Sequence, residues 1–158
     1  AMARSASPDV SAGVVETLAT AIEDREVRGS ALASCVGELG DRDALSQAAD
    51  ELLGMEGIET VIVFGYTEET IYVSGRTRGS TVDLGETLRD ALGQIGSAGG
   101  HAKMAGAQVP MGVLDAVEEW ETLSVVVHDT IAGRFFEALD SAPQIQLDSD
   151  VPLRFPPE

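Results

Sequence analysis

The sequence predicts an α/β (α+β) fold, with a small mixed β-sheet of about four to five strands flanked by helices. Apolar residues recur at helical spacing in four segments, and short runs rich in β-branched residues lie between those segments. Helical and extended segments therefore interleave along the chain, which is typical of a sheet covered by helices. With 158 residues, 44% of them hydrophobic, the chain is long enough to bury one core.

The first helix and the first strand are predicted from the N-terminal third. Ser7 and Pro8 have the residue types of an N-cap and a first helical position. Apolar residues then recur every fourth position over 10–22, which indicates one buried helix face. After a charged helix end, the apolar residues of 31–36 predict the first strand.

A second helix and a β-hairpin are predicted next. The apolar spacing over 45–53 is that of a buried helical stripe, with Asp41 and Asp43 as candidate N-caps. The continuous apolar run 61–64 is typical of a central strand covered on both faces. A short turn separates it from 70–74, so the two strands are expected to form a hairpin.

The last three elements follow a capping signal. Asp83 and Glu86 have the spacing of a capping box, which predicts a helix over 84–95. A short strand is expected over 106–109, and a final helix over 122–139. We expect a disordered start at 1–7, one domain over 8–140 and a proline-rich tail at 141–158.

The charge of the chain is strongly acidic. Twenty-seven acidic residues and ten basic residues give a formal net charge of −17, and the acids are spread along the chain. This composition predicts adaptation to high salt, and an acidic surface for a basic partner is the alternative. The single cysteine excludes an intrachain disulfide. The sequence contains neither a membrane-spanning run nor a signal-peptide pattern, so we expect a cytoplasmic protein with no membrane partner.

The segment 93–106 is rich in glycine and carries the candidate ligand-binding residues. Gly99 and Gly100 precede His101 and Lys103, and Lys103 is the only lysine of the chain. Glycine lets the backbone approach a ligand closely, so that successive N–H groups can converge on an anion. A phosphate-binding loop is therefore predicted, and a flexible loop with a helix cap is the alternative.

Three linked motifs resemble those of a known family. They are Val73-Ser74-Gly75-Arg76-Thr77, then Val82-Asp83-Leu84-Gly85-Glu86, then Gly99-Gly100-His101-Ala102-Lys103-Met104-Ala105-Gly106-Ala107. In this order they resemble the DHH-associated substrate-binding domain, over about residues 28–112. That domain is the C-terminal lobe of DHH-family phosphoesterases, which include nanoRNases, RecJ-like exonucleases and cyclic-dinucleotide phosphodiesterases.

The resemblance implies a substrate-binding site. Its residues would be Ser74, Arg76, Thr77, Gly99, Gly100, His101 and Lys103. Arg76 would contact a substrate phosphate, because the guanidinium fork suits that geometry, although Arg76 could instead pair with a surface acid. The glycines and His101 would hold the phosphate or ribose. The motif does not require Lys103 or its neighbour Arg78.

The resemblance also implies what the chain does. No Asp-His-His run is present, so we assign no catalytic or metal-binding residue here and expect the catalytic Mn²⁺ in a missing N-terminal DHH domain of the same protein. The chain would be the recognition lobe for a short oligonucleotide or nucleotide phosphate, inactive by itself. The alternative is a non-catalytic nucleotide-sensing or interaction module. A homodimer through an exposed edge strand is possible.

Overall fold

The computed structural model describes residues 11–79, 81–114 and 120–141, without the side chains of 120–122. These ranges contain four α-helices, six β-strands and one short 3₁₀-helix at Met111–Leu114. In chain order they are α1 (Ala12–Glu23), β1 (Glu26–Arg28), β2 (Ala31–Glu38), α2 (Asp43–Leu52), β3 (Thr60–Tyr66), β4 (Thr70–Thr77), α3 (Leu84–Leu92), β5 (Ser97–Gly100), β6 (Met104–Pro110) and α4 (Trp120–Ser141).

The six strands form one mixed sheet in the order β1-β2-β3-β4-β6-β5. The strands β2 and β3 are parallel and are joined through α2, while every other neighbouring pair is antiparallel. The predicted fold class is confirmed. The sheet has six strands instead of four to five, because β1 and the glycine-rich β5 carry no apolar pattern that would predict a strand.

Helices cover the two faces of the sheet unequally. One face packs against α3 and α4 through a core that includes Ile62 and Phe64, and the other packs against α1 and α2 through Val61 and Val63. The layer formed by α1 and α2 extends across the sheet only as far as β4. On that side of β6, Gln108 is exposed, so the face of β6 and β5 next to α2 remains open.

Helix capping differs in part from the predictions. Ser7 and Pro8 lie outside the described residues, and the N-cap of α1 is Ser11, whose Oγ accepts a hydrogen bond from Val14 N at 3.2 Å. The Ser7 prediction is therefore wrong. At α3 the prediction is confirmed, since Asp83 Oδ1 accepts a hydrogen bond from Glu86 N at 3.1 Å.

Neither predicted cap of α2 is its N-cap. That position is Arg42, which makes no side-chain capping hydrogen bond. Asp41 instead accepts a hydrogen bond from Asp43 N at 2.9 Å, one residue earlier than a capping residue would stand. The predicted start 1–7 lies outside the described residues, as does the predicted tail 141–158 except for Ser141, which is the last residue of α4. Within the described ranges, no helix has both the length and the apolar character needed to cross a membrane.

Candidate ligand-binding site

The site is organised by the pairing of α2 with β4. Residues of β4 alternate between the two faces of the sheet, so that every second side chain points toward α2. Three residues at four-residue spacing on α2 meet three alternate residues of β4. The contacts are the Arg42 guanidinium 4.2 Å from the Tyr72 ring centroid, the Ser46 and Ser74 hydroxyl oxygens 3.2 Å apart, and Arg76 Nε 2.8 Å from Asp50 Oδ1.

Beside this row lies an open trough of about 530 Å³ on the uncovered face of the sheet. Toward Arg76 the trough ends at a row of small residues on three neighbouring strands, since Ser74 of β4 pairs with Gly106 of β6, and Gly106 pairs with Gly99 of β5. In the last row, at the Arg42 end, Tyr72 of β4 pairs with Gln108 of β6, and Gln108 pairs with Ser97 of β5. The volume lies within the ~300–1,000 Å³ of small-molecule sites.

Arg76 stands just beyond the small-residue row and is held on two sides. Its side chain is only 12% exposed, Nε donates a hydrogen bond to Asp50, and Nη1 donates to the Gly75 carbonyl at 2.8 Å. The pairing of Arg76 with an acid, which the sequence left open, therefore occurs. Nη2 has no hydrogen-bond partner among the described residues, so this nitrogen, with its two N–H groups, remains available.

The two distant motifs meet just beyond this end of the trough, whose described lining includes neither Arg76 nor His101. Arg76 pairs with Met104 in the β4–β6 ladder, and the Thr77 N–H donates a hydrogen bond to the Lys103 carbonyl at 3.0 Å. The turn that joins β5 to β6 carries His101 and therefore lies directly beside the end of β4. The predicted convergence of these segments is present at the level of the backbone.

The turn between β5 and β6 is anchored on the start of α3. The His101 carbonyl accepts a hydrogen bond from Gly85 N at 3.0 Å, and the Ala102 carbonyl accepts one from Leu84 N at 2.8 Å. The first N–H groups of the helix are thus satisfied by the turn and by Asp83. A phosphate cannot use them without displacing these bonds.

The side chains of the turn differ in their contacts. The His101 ring is exposed and makes no hydrogen bond within the described part of the chain. Lys103 Nζ donates to the Arg78 carbonyl at 3.5 Å and to the Gly79 carbonyl at 3.2 Å, so it ties down the segment that follows β4. His101 is therefore the freer donor of the two.

The glycine-rich segment is a loop only in part, because Ser97–Gly100 form strand β5 while residues 101–103 form the turn to β6. Gly100 has φ +137°, and a Cβ there would lie 2.5 Å from Ala105 Cα. A Cβ on Gly96 would lie 2.3 Å from the Gln108 carbonyl oxygen. At Gly99, by contrast, a Cβ would contact only Arg89 Nη1, at 3.8 Å. Backbone packing thus requires glycine at 96 and 100, whereas Gly99 stands in the trough without that requirement.

Thr77 is the one predicted site residue whose side chain is enclosed. It is 3% exposed, and its Oγ1 lies 2.8 Å from Thr60 Oγ1, donates to the Glu59 carbonyl at 2.9 Å and accepts from Gly79 N at 3.1 Å. These bonds fix the end of β4. The backbone of Thr77, through its bond to Lys103, is the part that adjoins the site.

Basic residues gather around the trough although the protein is acidic. Five of the ten basic residues of the chain lie at the trough or beside its Arg76 end: Arg42, Arg76, Arg78, Arg89 and Lys103. Arg42 and Arg89 are not among the residues predicted from the sequence. Arg42 sits between two aspartates and Arg89 in an ordinary helix, so no local pattern distinguishes either residue.

A second cleft, of about 390 Å³, lies between α1, β2 and α4 and contains none of the predicted site residues. Burial raises the pKa of its Cys35 thiol to about 11, so the thiol is protonated at neutral pH and is a poor nucleophile. Beside the cleft, His128 Nε2 lies 2.9 Å from Glu26 Oε1, and this hydrogen bond lowers the pKa of the Glu26 carboxyl.

Among residues 11–79, 81–114 and 120–141, no three His, Cys, Asp or Glu side chains are grouped to hold a metal ion. The Mn²⁺ that the resemblance implies would be held by a separate DHH domain, and these described residues form no group that would bind it.

The fold and the trough define a class: a small mixed-sheet α/β domain with a ligand-sized depression on the open face of its sheet. The family model of the DHHA1 domain matches residues 28–127, which is more than half of the chain. The chain belongs to the DHHA1 domain family, and the resemblance to the DHH-associated domain is confirmed.

Three known proteins that are similar to this chain are each longer than it is. The uncharacterized protein MJ1633 of Methanocaldococcus jannaschii is 40% identical over 134 residues, which are 84% of this chain and 27% of that protein. An exopolyphosphatase-related protein from Bacteroides fragilis has a similar fold, with a TM-score of 0.53 at 10% identity over 83% of this chain and 37% of that one. RecJ from Thermus thermophilus, solved in complex with Mg²⁺, has a TM-score of 0.51 at 15% identity. The match covers 85% of this chain and 18% of RecJ.

Proposed function

We infer that the trough binds the phosphate and sugar of a short oligonucleotide or nucleotide, and that the chain is the substrate-recognition domain of a DHH-family phosphoesterase. The observation that carries this proposal is the meeting of Arg76 and the His101 turn at one end of a trough floored by Ser74, Gly106 and Gly99. Membership of the DHHA1 family and the fold shared with RecJ support it.

Each site residue would make a different contact with the ligand. Arg76 has a free Nη2 that can donate a charge-assisted hydrogen bond to a phosphate oxygen, and the exposed His101 ring supplies a second donor from the adjacent turn. Ser74 and the open backbone at Gly99 allow close approach of a ribose or phosphate to the sheet. Together they would position a phosphoester for catalysis by another domain.

The rest of the protein would supply the chemistry. This chain spans about a quarter of the length of the M. jannaschii relative, so a longer protein has room for a catalytic DHH domain. We propose that this domain binds Mn²⁺ and hydrolyses the phosphoester, while the present chain alone does not. A homodimer through the edge strand β5 is a further proposal, since β5 has one neighbour, β6, among the strands of the described residues.

The binding site is tested by titrating the ¹⁵N-labelled chain with a 5′-phosphorylated diadenylate. Shifts should cluster at Ser74, Arg76 and Gly99–Lys103. Arg76→Ala should weaken binding about 10- to 100-fold, because a hydrogen bond to a charged group contributes ~1.5–3 kcal/mol. His101→Ala should weaken it less.

Arg134→Ala is the matched control, because it removes the same charge from α4, on the other face of the sheet. Its affinity should equal that of the parent chain. Shifts that cluster in the α1–α4 cleft, or an Arg76→Ala variant that binds like the parent, would refute the site. Binding of a nucleotide by a full-length protein without a DHH domain would favour the sensing module instead.

A further inference from the structure

The far end of the trough, opposite Arg76, differs in chemistry from the phosphate-binding end. There the Arg42 guanidinium lies over the Tyr72 ring, with its Cζ 4.2 Å from the ring centroid. Arg42 is exposed, so the face of its guanidinium away from Tyr72 is accessible from the trough. A planar guanidinium supported by an aromatic ring is a surface on which a nucleobase stacks.

The neighbouring polar groups can read the edge of a base. Gln108 and Ser97 pair with each other across β6 and β5 and line the trough beside Tyr72. Gln108 is exposed and offers both an acceptor oxygen and a donor nitrogen, which are the groups that recognise the hydrogen-bonding edge of a nucleobase. An ionised polyphosphate has only acceptor oxygens, so it cannot donate a hydrogen bond to the amide oxygen of Gln108.

The charges along the trough do not suit a polyphosphate. The row of Ser74, Gly106 and Gly99, between Arg76 and the Arg42 end, is itself uncharged, and Arg42 is flanked in sequence by Asp41 and Asp43. A chain of phosphates would need cations along its whole length. Here Arg76 and Arg42 stand at opposite ends, with Arg89 near Gly99 on the edge strand, and the two acids beside Arg42 weaken the attraction of that end for a second phosphate.

We propose that the Arg42–Tyr72 stack, with Gln108, is a nucleobase-binding subsite, so that the trough selects nucleotides of about two units over polyphosphate. This proposal rests on the phosphate-binding function given above. Tyr72 and Arg76 are four residues apart on β4, which is ~13 Å at ~3.3 Å per residue. A dinucleotide can bridge that span, with its 5′-phosphate at Arg76 and a base on Arg42.

The test compares three probes: 5′-phosphorylated diadenylate, ribose 5-phosphate and tripolyphosphate. Arg42→Ala should weaken binding of the diadenylate about tenfold, the effect of one stacking contact, and change binding of the other two by less than about twofold. Arg42→Lys keeps the charge but lacks the planar guanidinium, so it should weaken diadenylate binding as much as Arg42→Ala does. Gln108→Ala, an independent variant in β6, should weaken diadenylate binding about threefold.

Arg25→Ala is the matched control, because Arg25 is exposed and its side chain donates to the Ile22 carbonyl at the end of α1. It should leave all three affinities unchanged. Arg42 makes no capping bond, so its variants should keep the parent's circular dichroism and melting temperature.

Equal losses for diadenylate and tripolyphosphate, rescue by Arg42→Lys, or an unchanged diadenylate affinity would each overturn the base subsite. If Arg76→Ala also leaves every affinity unchanged, or if no probe binds the parent chain, the phosphate-binding function fails as well.

Discussion

Arg76 Nε donates a hydrogen bond to Asp50 Oδ1 at 2.8 Å, so the arginine assigned to the substrate phosphate is already paired with a carboxylate. The pair is asymmetric, because the Arg76 side chain is 12% exposed and the Asp50 side chain is 60% exposed. A phosphate that approaches Arg76 must therefore compete with a solvated negative charge on α2.

Removal of that charge should strengthen binding. We expect Asp50→Asn to tighten binding of a phosphorylated dinucleotide by up to about fivefold, because an exposed ion pair contributes up to ~1 kcal/mol. The free energy of unfolding should change by less than ~1 kcal/mol for the same reason. NMR titration and urea unfolding measure the two effects.

Glu51→Gln is the control for this change, since Glu51 is the next residue of α2, is exposed and carries the same charge. Its affinity should stay close to that of the parent chain. Weaker binding by Asp50→Asn would mean that Asp50 orients Arg76 for the ligand, and the competition would then be ruled out.

Much of the fold could be predicted because its strongest patterns are local. The apolar run of β3 and the helical spacing of α2 and α3 each identify an element without reference to the rest of the chain. The strand β1 could not be predicted in this way. Its three residues, Glu26–Arg28, carry no alternating apolar pattern, and they are extended because they pair with Ala31–Ala33 of β2 across the two-residue turn Gly29-Ser30.

The candidate site was predictable only in part. The motifs around Arg76 and His101 identified the end of the trough, since both are visible as short sequence patterns. The other end depends on the register in which α2 packs on β4, which places Arg42 over Tyr72. That register follows from the packing angle of a helix on a sheet, and no spacing within either segment encodes it.

Close backbone packing at Gly85 predicts a large loss of stability for a small change. A Cβ on Gly85 would lie 2.8 Å from the Gly100 carbonyl oxygen and 3.1 Å from the His101 carbonyl oxygen. Gly85→Ala should therefore destabilise the protein by about 1–3 kcal/mol, although alanine favours helices. Urea unfolding monitored by circular dichroism measures the change.

Gly133→Ala provides the comparison within α4. A Cβ at Gly133 meets no atom within 4 Å, so alanine there should stabilise the protein by up to ~1 kcal/mol. Equal stabilities of the two variants would contradict the close contact between the start of α3 and the turn at His101.

Burial of Cys35 predicts a pH dependence of stability on the alkaline side. The pKa of the thiol is raised from 9.0 to about 11 in the folded protein, because desolvation disfavours the thiolate. The folded state therefore keeps its proton between these values while the unfolded state loses it. Stability is fully present below pH 9 and falls as the pH rises toward 11, by roughly 2–3 kcal/mol in all.

Cys35→Ala should remove the part of the alkaline loss of stability that the thiol causes. Urea unfolding at pH 8 and pH 10.5 measures this difference. Burial also raises the pKa of Tyr66, so some alkaline loss should persist in the variant. A parent chain and a Cys35→Ala variant with the same pH dependence would contradict the raised thiol pKa.

The net charge of −17 leads us to propose that folding is stabilised by salt. Self-repulsion among the acids destabilises the compact state, and screening weakens it as the Debye length falls from ~10 Å at ~0.1 M to ~3 Å at ~1 M. The melting temperature should therefore rise strongly in KCl, with most of the rise below ~1 M, where screening changes most. A steady rise up to ~2 M would instead indicate exclusion of salt from the protein surface. A flat or falling melting temperature would exclude adaptation to high salt and would favour an acidic surface that binds a basic partner.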